Sequence, residues 1–185
     1  MAVPLRRLAV AAALALTLPA TSPAEEPAPE ARPEAAAAAA VAAVGPVTSL
    51  PLPRYVSLRG SEANARRGPS VNQRVDWTFL RRGLPLQITA EYGNWRKVRD
   101  SDGAGGWVHY MLLSGVRTAL VQGEGPLPLR AEASEAAQIR AFAEPGVIAR
   151  VEHCPSAWCE LEVEGIKGWA PRDVLWGLGP DEVID

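Results

Sequence analysis

The sequence predicts an all-β protein of two tandem small barrels, and three observations carry that reading. An ordered set of landmarks occurs twice, each copy breaks into short strand-forming runs, and the bulky apolar residues are concentrated after Tyr55. The chain has 185 residues with 17 prolines and 16 glycines, which suits two small domains plus extended segments better than one large core.

The segments before Tyr55 contain little to bury. Arg6 and Arg7, the apolar run from Leu8 to Leu18 and the small residues Ser22, Pro23 and Ala24 have the pattern of an export signal over residues 1–24, cleaved to give a chain starting near Glu25. That apolar run is too short to span a bilayer and no later one anchors the chain, so no stable membrane anchor is expected after cleavage. No cysteine follows the signal to accept lipid, and general secretion is the default route. Residues 25–53 alternate Pro, Ala and Glu and then run through alanines to Val44, which predicts a disordered, semi-rigid linker.

The first copy of the repeat, expected over 54–117, runs through Ala65-Arg66, Ser70, Val75, Arg82-Gly83, Trp95, Gly106-Trp107-Val108 and Leu113-Ser114-Gly115. The second, expected over 118–179, follows the same order through Leu129-Arg130, Ser134, Ile139, Pro145-Gly146, Trp158, Gly168-Trp169-Ala170 and Leu175-Trp176-Gly177, ahead of an acidic tail over 180–185. The offset begins at 64 residues and shrinks at the loops. Within each copy, β-branched and aromatic runs such as Leu84 to Thr89 and Trp107 to Tyr110 are separated by Gly, Asn, Asp and Pro, which predicts hairpins across Asp100–Gly106 and Glu164-Gly165. Ala131 to Glu144 is locally helix-favouring, but its repeat partner is not, so the shared pattern takes precedence over propensity.

These landmarks resemble the bacterial SH3-like domain. The resemblance rests on the Ala-Arg-x-Gly-Pro-Ser opening at Ala65 to Ser70, the Trp-x-Lys-Val strand at Trp95 to Val98 and the Gly-Trp-Val closing strand at Gly106 to Val108, and it covers Tyr55 to Gly177. The second copy departs from it, with Ala131-Glu132-Ala133 in place of Arg-Gly-Pro and Glu160-Leu161 in place of Lys-Val, but its Trp158-Cys159, Gly168-Trp169 and Leu175-Trp176-Gly177 resemble a subfamily of such domains in exported proteobacterial proteins. The resemblance implies a partly open five-stranded barrel and a recognition role, with no catalytic residues to transfer.

Charge divides the chain. Residues 54–115 carry ten Lys/Arg against five Asp/Glu and residues 116–185 six against twelve, so the second half would repel a phosphate backbone and nucleic acid is excluded as a partner. Alternation along a strand puts Trp95, Lys97 and Arg99 on one face and Arg96 and Val98 on the other. In the second copy Trp158, Glu160, Glu162 and Glu164 share a face opposite Cys159, Leu161 and Val163, so Trp95 heads a basic surface and Trp158 an acidic stripe. Flat rings beside charges suit the gripping of sugars or peptides, so Trp95, Lys97, Arg99, Trp158 and Glu160 are the candidate binding residues. Trp107 and Trp169 are expected in the core.

Carboxylates two apart on a strand lie roughly 7 Å from each other, as a glycosidase pair can, but Glu160, Glu162 and Glu164 have only their spacing in favour of that role. Cys154 and Cys159, the only cysteines, are expected to form a disulfide whose six-residue ring contributes on the order of 2 kcal/mol. Their spacing is not that of a redox pair, and His153, adjacent to Cys154, points to the other face, so neither metal nor cofactor is expected. His109 is expected to be structural or exposed. The function expected is a non-catalytic, periplasmic or secreted module recognising peptidoglycan or an envelope peptide or protein. The alternatives are a structural adaptor whose basic barrel docks on the acidic one and, ranking last, an envelope hydrolase or redox protein.

Overall fold

A computed structural model describes residues 43–185, so the export signal and the linker through residue 42 lie outside the described residues. The described chain is all-β, and its two larger sheets repeat one plan. The first is formed by β3 (Arg54–Leu58), β4 (Ala63–Arg66), β5 (Val75–Phe79), β6 (Pro85–Tyr92), β7 (Trp95–Arg99), β8 (Gly105–His109) and β9 (Leu113–Ser114), in the order β5-β4-β8-β7-β6-β3-β9. The second uses β10 (Thr118–Val121), β11 (Leu127–Arg130), β12 (Ile139–Ala143), β13 (Ile148–His153), β14 (Trp158–Val163), β15 (Ile166–Pro171) and β16 (Leu175–Trp176). Its order, β12-β11-β15-β14-β13-β10-β16, is the same when each strand is replaced by its repeat partner. In both copies a short 3-10 turn, Tyr110–Leu112 or Arg172–Val174, follows the closing strand. The helix-favouring stretch from Ala131 contains β12 and no helix, because its pairing with β11 outweighs local preference.

Each barrel encloses its own core. Phe79, Leu86, Ile88, Val98 and Val108 fill the first, and Val121, Leu129, Ala149, Leu161 and Ala170 the second. Trp107 and Trp169 are not among them, which corrects the expectation from sequence: both are half-buried on the outer face. The cause is the glycine before each. A Cβ at Gly106 would stand 2.6 Å from the Arg66 carbonyl oxygen and one at Gly168 2.8 Å from Leu129 Cβ, so the inward position there admits only hydrogen. Strand alternation then sends Val108 and Ala170 inward and the tryptophans out.

The linker expected over 25–53 is corrected over its last eleven residues. β1 (Ala43–Val44) and β2 (Pro51–Leu52) form a small hairpin against the first barrel, and Leu52 joins its core. The anchor is Glu91, whose side chain is fully buried. Its carboxylate accepts from the Val47 and Thr48 amides at 3.1 and 2.9 Å and from the Thr48 hydroxyl at 2.7 Å, and it pairs with Arg54 at 2.7 Å and Arg96 at 3.5 Å. Burial pushes this carboxyl up, but the hydrogen bonds from Thr48, Arg54 and Val47 outweigh it and hold the group at about 2.

The barrels pack against each other. Tyr55 meets Trp176 edge to face at 5.3 Å, the Thr118 hydroxyl donates to the Gly83 carbonyl at 2.7 Å, and Arg81 donates to the Gly146 carbonyl at 2.9 Å. Arg117, in the short connector, donates to the carbonyls of Tyr55 and Gly177 and holds Glu182 through both oxygens. Among the described residues no ion pair joins a side chain of 54–115 to one of 118–185, so the opposite charges of the two halves are not what docks them. The acidic end of the chain is tied to the second barrel: Leu178 is buried, and the Cys154 amide donates to the Ile184 carbonyl at 2.7 Å.

Candidate functional site

Trp95 opens β7 on the outer face, and its partner in register is His109 at the end of β8. The two rings meet edge to face at 5.5 Å, and His109 Nδ1 accepts from the Met111 amide at the start of the 3-10 turn. Beside this pair lies a groove of about 340 Å³, walled by Val71 and Leu112 and edged by Asn64, Arg66 and Glu62. The second barrel has a groove of about 600 Å³ in the same place, beside Trp158, whose register partner is Pro171. Glu135, Arg172 and Asp173 edge it, and Leu178 and Pro180 from the end of the chain extend one wall.

Of the candidate binding residues, the two tryptophans line grooves and the three charged ones do not. Lys97 is exposed further along β7, opposite Trp107, in a cross-strand row that continues to Arg66. Arg99 donates to Gln87 at 2.7 Å, and Gln87 donates to the Tyr55 hydroxyl at 3.0 Å, a chain that leads to the junction between the barrels. Tyr55 is half-buried there, which pushes its phenol up. Glu160 faces His153 and Trp169 across the sheet. The acidic stripe is flanked by cations: Glu162 lies opposite both Arg150 and Lys167, and those two pair with Glu152 at 3.2 and 3.7 Å.

The residues that sequence reasoning did not assign to the grooves, Val71, Leu112, Glu135, Arg172 and Asp173, sit outside the strands. They come from the loop after the repeated serine and from the 3-10 turn after the closing strand. The signal that could have found them was the repeat itself, since Val71 and Glu135 each follow the serine of their copy.

Cys154 and Cys159 form a disulfide and are fully buried, while His153 is exposed on the other face. Among the described residues no group of three or more His, Cys, Asp or Glu side chains is placed to hold a metal ion. Asp76 lies below the usual carboxylate range because Arg67 and Arg74 donate to it at 3.1 and 2.7 Å. It sits at an exposed edge, outside either groove.

The sequence model of the bacterial SH3 domain matches this chain twice, over residues 59–115 and 123–177. Among solved structures, the chain is similar to NlpC1 from Trichomonas vaginalis, at 11% identity and a TM-score of 0.32, over 72% of this chain and 49% of that one. It is also similar to NlpC2 from Trichomonas vaginalis, at 14% identity and a TM-score of 0.32, over 66% of this chain and 47% of that one. The chain thus spans about half the length of each of these two proteins. No curated protein matches it.

Proposed function

From the premise that the chain belongs to the bacterial SH3 domain family, we propose that it is a non-catalytic binding module of the cell envelope, taking peptidoglycan or an envelope polypeptide in the grooves beside Trp95 and Trp158. The observation that carries this reading is the duplication of the groove. Each barrel sets a half-exposed indole against the residue that ends its closing strand, so each copy offers an aromatic floor with polar edges. A periplasmic location is supported by the Cys154–Cys159 bond, since disulfides persist in oxidising compartments. No helix among the described residues is long and apolar enough to cross a membrane.

The test is co-sedimentation of the chain, from Glu25 onward, with purified sacculi. Binding that falls at least tenfold in Trp95→Ala or Trp158→Ala is expected, and the absence of sedimentation by the parent protein would remove the peptidoglycan reading. A second reading, a structural adaptor in a larger periplasmic complex, is favoured by the junction itself, where the Tyr55–Trp176 pair and the Arg117 hydrogen bonds to the Tyr55 and Gly177 carbonyls hold the two barrels together.

A further inference from the structure

The duplication supplies an internal control: Val71, Trp95 and His109 line the first groove and their counterparts Glu135, Trp158 and Pro171 the second, with Tyr110 and Met111 beside the first where Arg172 and Asp173 edge the second. Val71 corresponds to Glu135, Tyr110 to Arg172 and Met111 to Asp173, on matching loops and 3-10 turns. The fold therefore accepts charged residues at all three places, yet the first barrel exposes apolar ones there, Val71 at 69%, Tyr110 at 48% and Met111 at 61%. Tyr92, the register partner of Trp95, is exposed at 65% on the same end of the barrel. Tyr110 also meets the His109 ring at 5.1 Å and lies under the Arg96 guanidinium at 5.9 Å, which leaves Val71, Met111 and Tyr92 as the apolar residues that protrude near the groove. Exposed apolar residues grouped near a cavity are the mark of a contact surface.

We infer that the groove beside Trp95 takes an extended segment of a partner polypeptide, seating a bulky apolar side chain between Val71 and Leu112 with acidic residues beside it. The inference rests on the binding-module reading and names the ligand of the first groove. Two further observations point to this occupant. The walls at Val71, Leu112 and Ala63 offer no partners for hydroxyl groups and suit an aliphatic or aromatic side chain, while Glu62, Asn64, Arg66 and His109 stand where the polar backbone and flanks of a peptide would meet them. The rim carries Arg66, whose guanidinium donates to the Gln73 carbonyl, and one carboxylate, Glu62, while the row that leads away from the groove past Trp107 ends at Lys97, which has no ion-pair partner among the described residues. Acidic flanks complement that field. A lipid surface would meet the protruding tips but make no use of the concavity between them.

The experiment pans random decapeptides on phage against the chain from Glu25, with the triple variant Val71→Glu, Tyr110→Arg, Met111→Asp as counter-target. Those substitutions install the residue types that the second barrel carries at the same positions, and an unchanged melting temperature checks folding. Enrichment of peptides with a bulky apolar residue beside Asp or Glu is expected. A synthesised representative should bind at least tenfold more weakly to the triple variant, and several-fold more weakly in 500 mM than in 50 mM salt. Lack of enrichment over the counter-target, or equal binding by the triple variant, overturns the inference. So does sedimentation with phosphatidylglycerol and phosphatidylethanolamine vesicles that the triple variant loses, which would make the patch a lipid contact. If sacculi bind the parent and the triple variant alike and no peptide is enriched, the inference fails while the binding-module reading stands.

Discussion

Glu91 shows how much of this fold depends on single side chains. It was unremarkable in the sequence, one carboxylate in a basic half, yet five donors converge on it and it fastens the β1–β2 hairpin to the first barrel. Glu91→Ala leaves Arg54 and Arg96 without their shared counter-charge, and a loss of about 3 kcal/mol or more is expected in chemical denaturation, with faster hydrogen exchange at the Val47 and Thr48 amides. The pH dependence has a definite sign. Because the folded carboxyl sits at about 2, below its ordinary 4.5, its contribution is complete above pH 4.5 and drains away as the pH falls toward 2. Acid titration of the parent should show that loss and Glu91→Gln should not. Gly45 belongs to the same contact: a Cβ there would lie 2.5 Å from Glu91 Oε2, so Gly45→Ala is expected to loosen the hairpin and cost about 1–3 kcal/mol, read by the same two amides.

At the scale of elements, the second barrel carries a staple that the first lacks. The Cys154–Cys159 bond spans the β13–β14 connection, and Cys154 also pairs with Ile184, so Cys154→Ser with Cys159→Ser is expected to lower stability by about 2 kcal/mol and release the end of the chain. Mass measurement should show a gain of about two daltons on reduction of the parent, in accord with one bond. The strands themselves were legible in the sequence, because a repeat that preserves its glycines and tryptophans in order also preserves its pairing, and both sheets share one strand order. The inward or outward sense of Trp107 and Trp169 was not. It depends on which strand crosses Gly106 and Gly168 at close range, a tertiary fact that a local Gly-Trp pair does not encode. The groove walls were missed for a related reason: they come from turns, where no alternation announces which way a side chain points.

Over the whole molecule, the charge asymmetry legible in the sequence suggested electrostatic docking, and the contacts between the barrels are instead mostly an aromatic pair and hydrogen bonds to carbonyl groups, with the partly buried Arg117–Glu182 pair at the connector as the one ion pair there among the described residues. Such a junction is little affected by screening, so the radius of gyration from X-ray scattering is expected to be the same in 50 and 500 mM salt. Arg117→Ala strips the carbonyls of Tyr55 and Gly177 of their donor and Glu182 of its partner; a loss of about 3 kcal/mol and a larger radius are expected. The N-terminal hairpin bears on how the protein can be divided. The family match begins at residue 59, but a fragment cut there would lack β3, Arg54 and the amides of Val47 and Thr48, leaving Glu91 with Arg96 alone of its five donors. An expression clone for the isolated first barrel therefore has to open upstream of Ala43, well outside the recognisable homology.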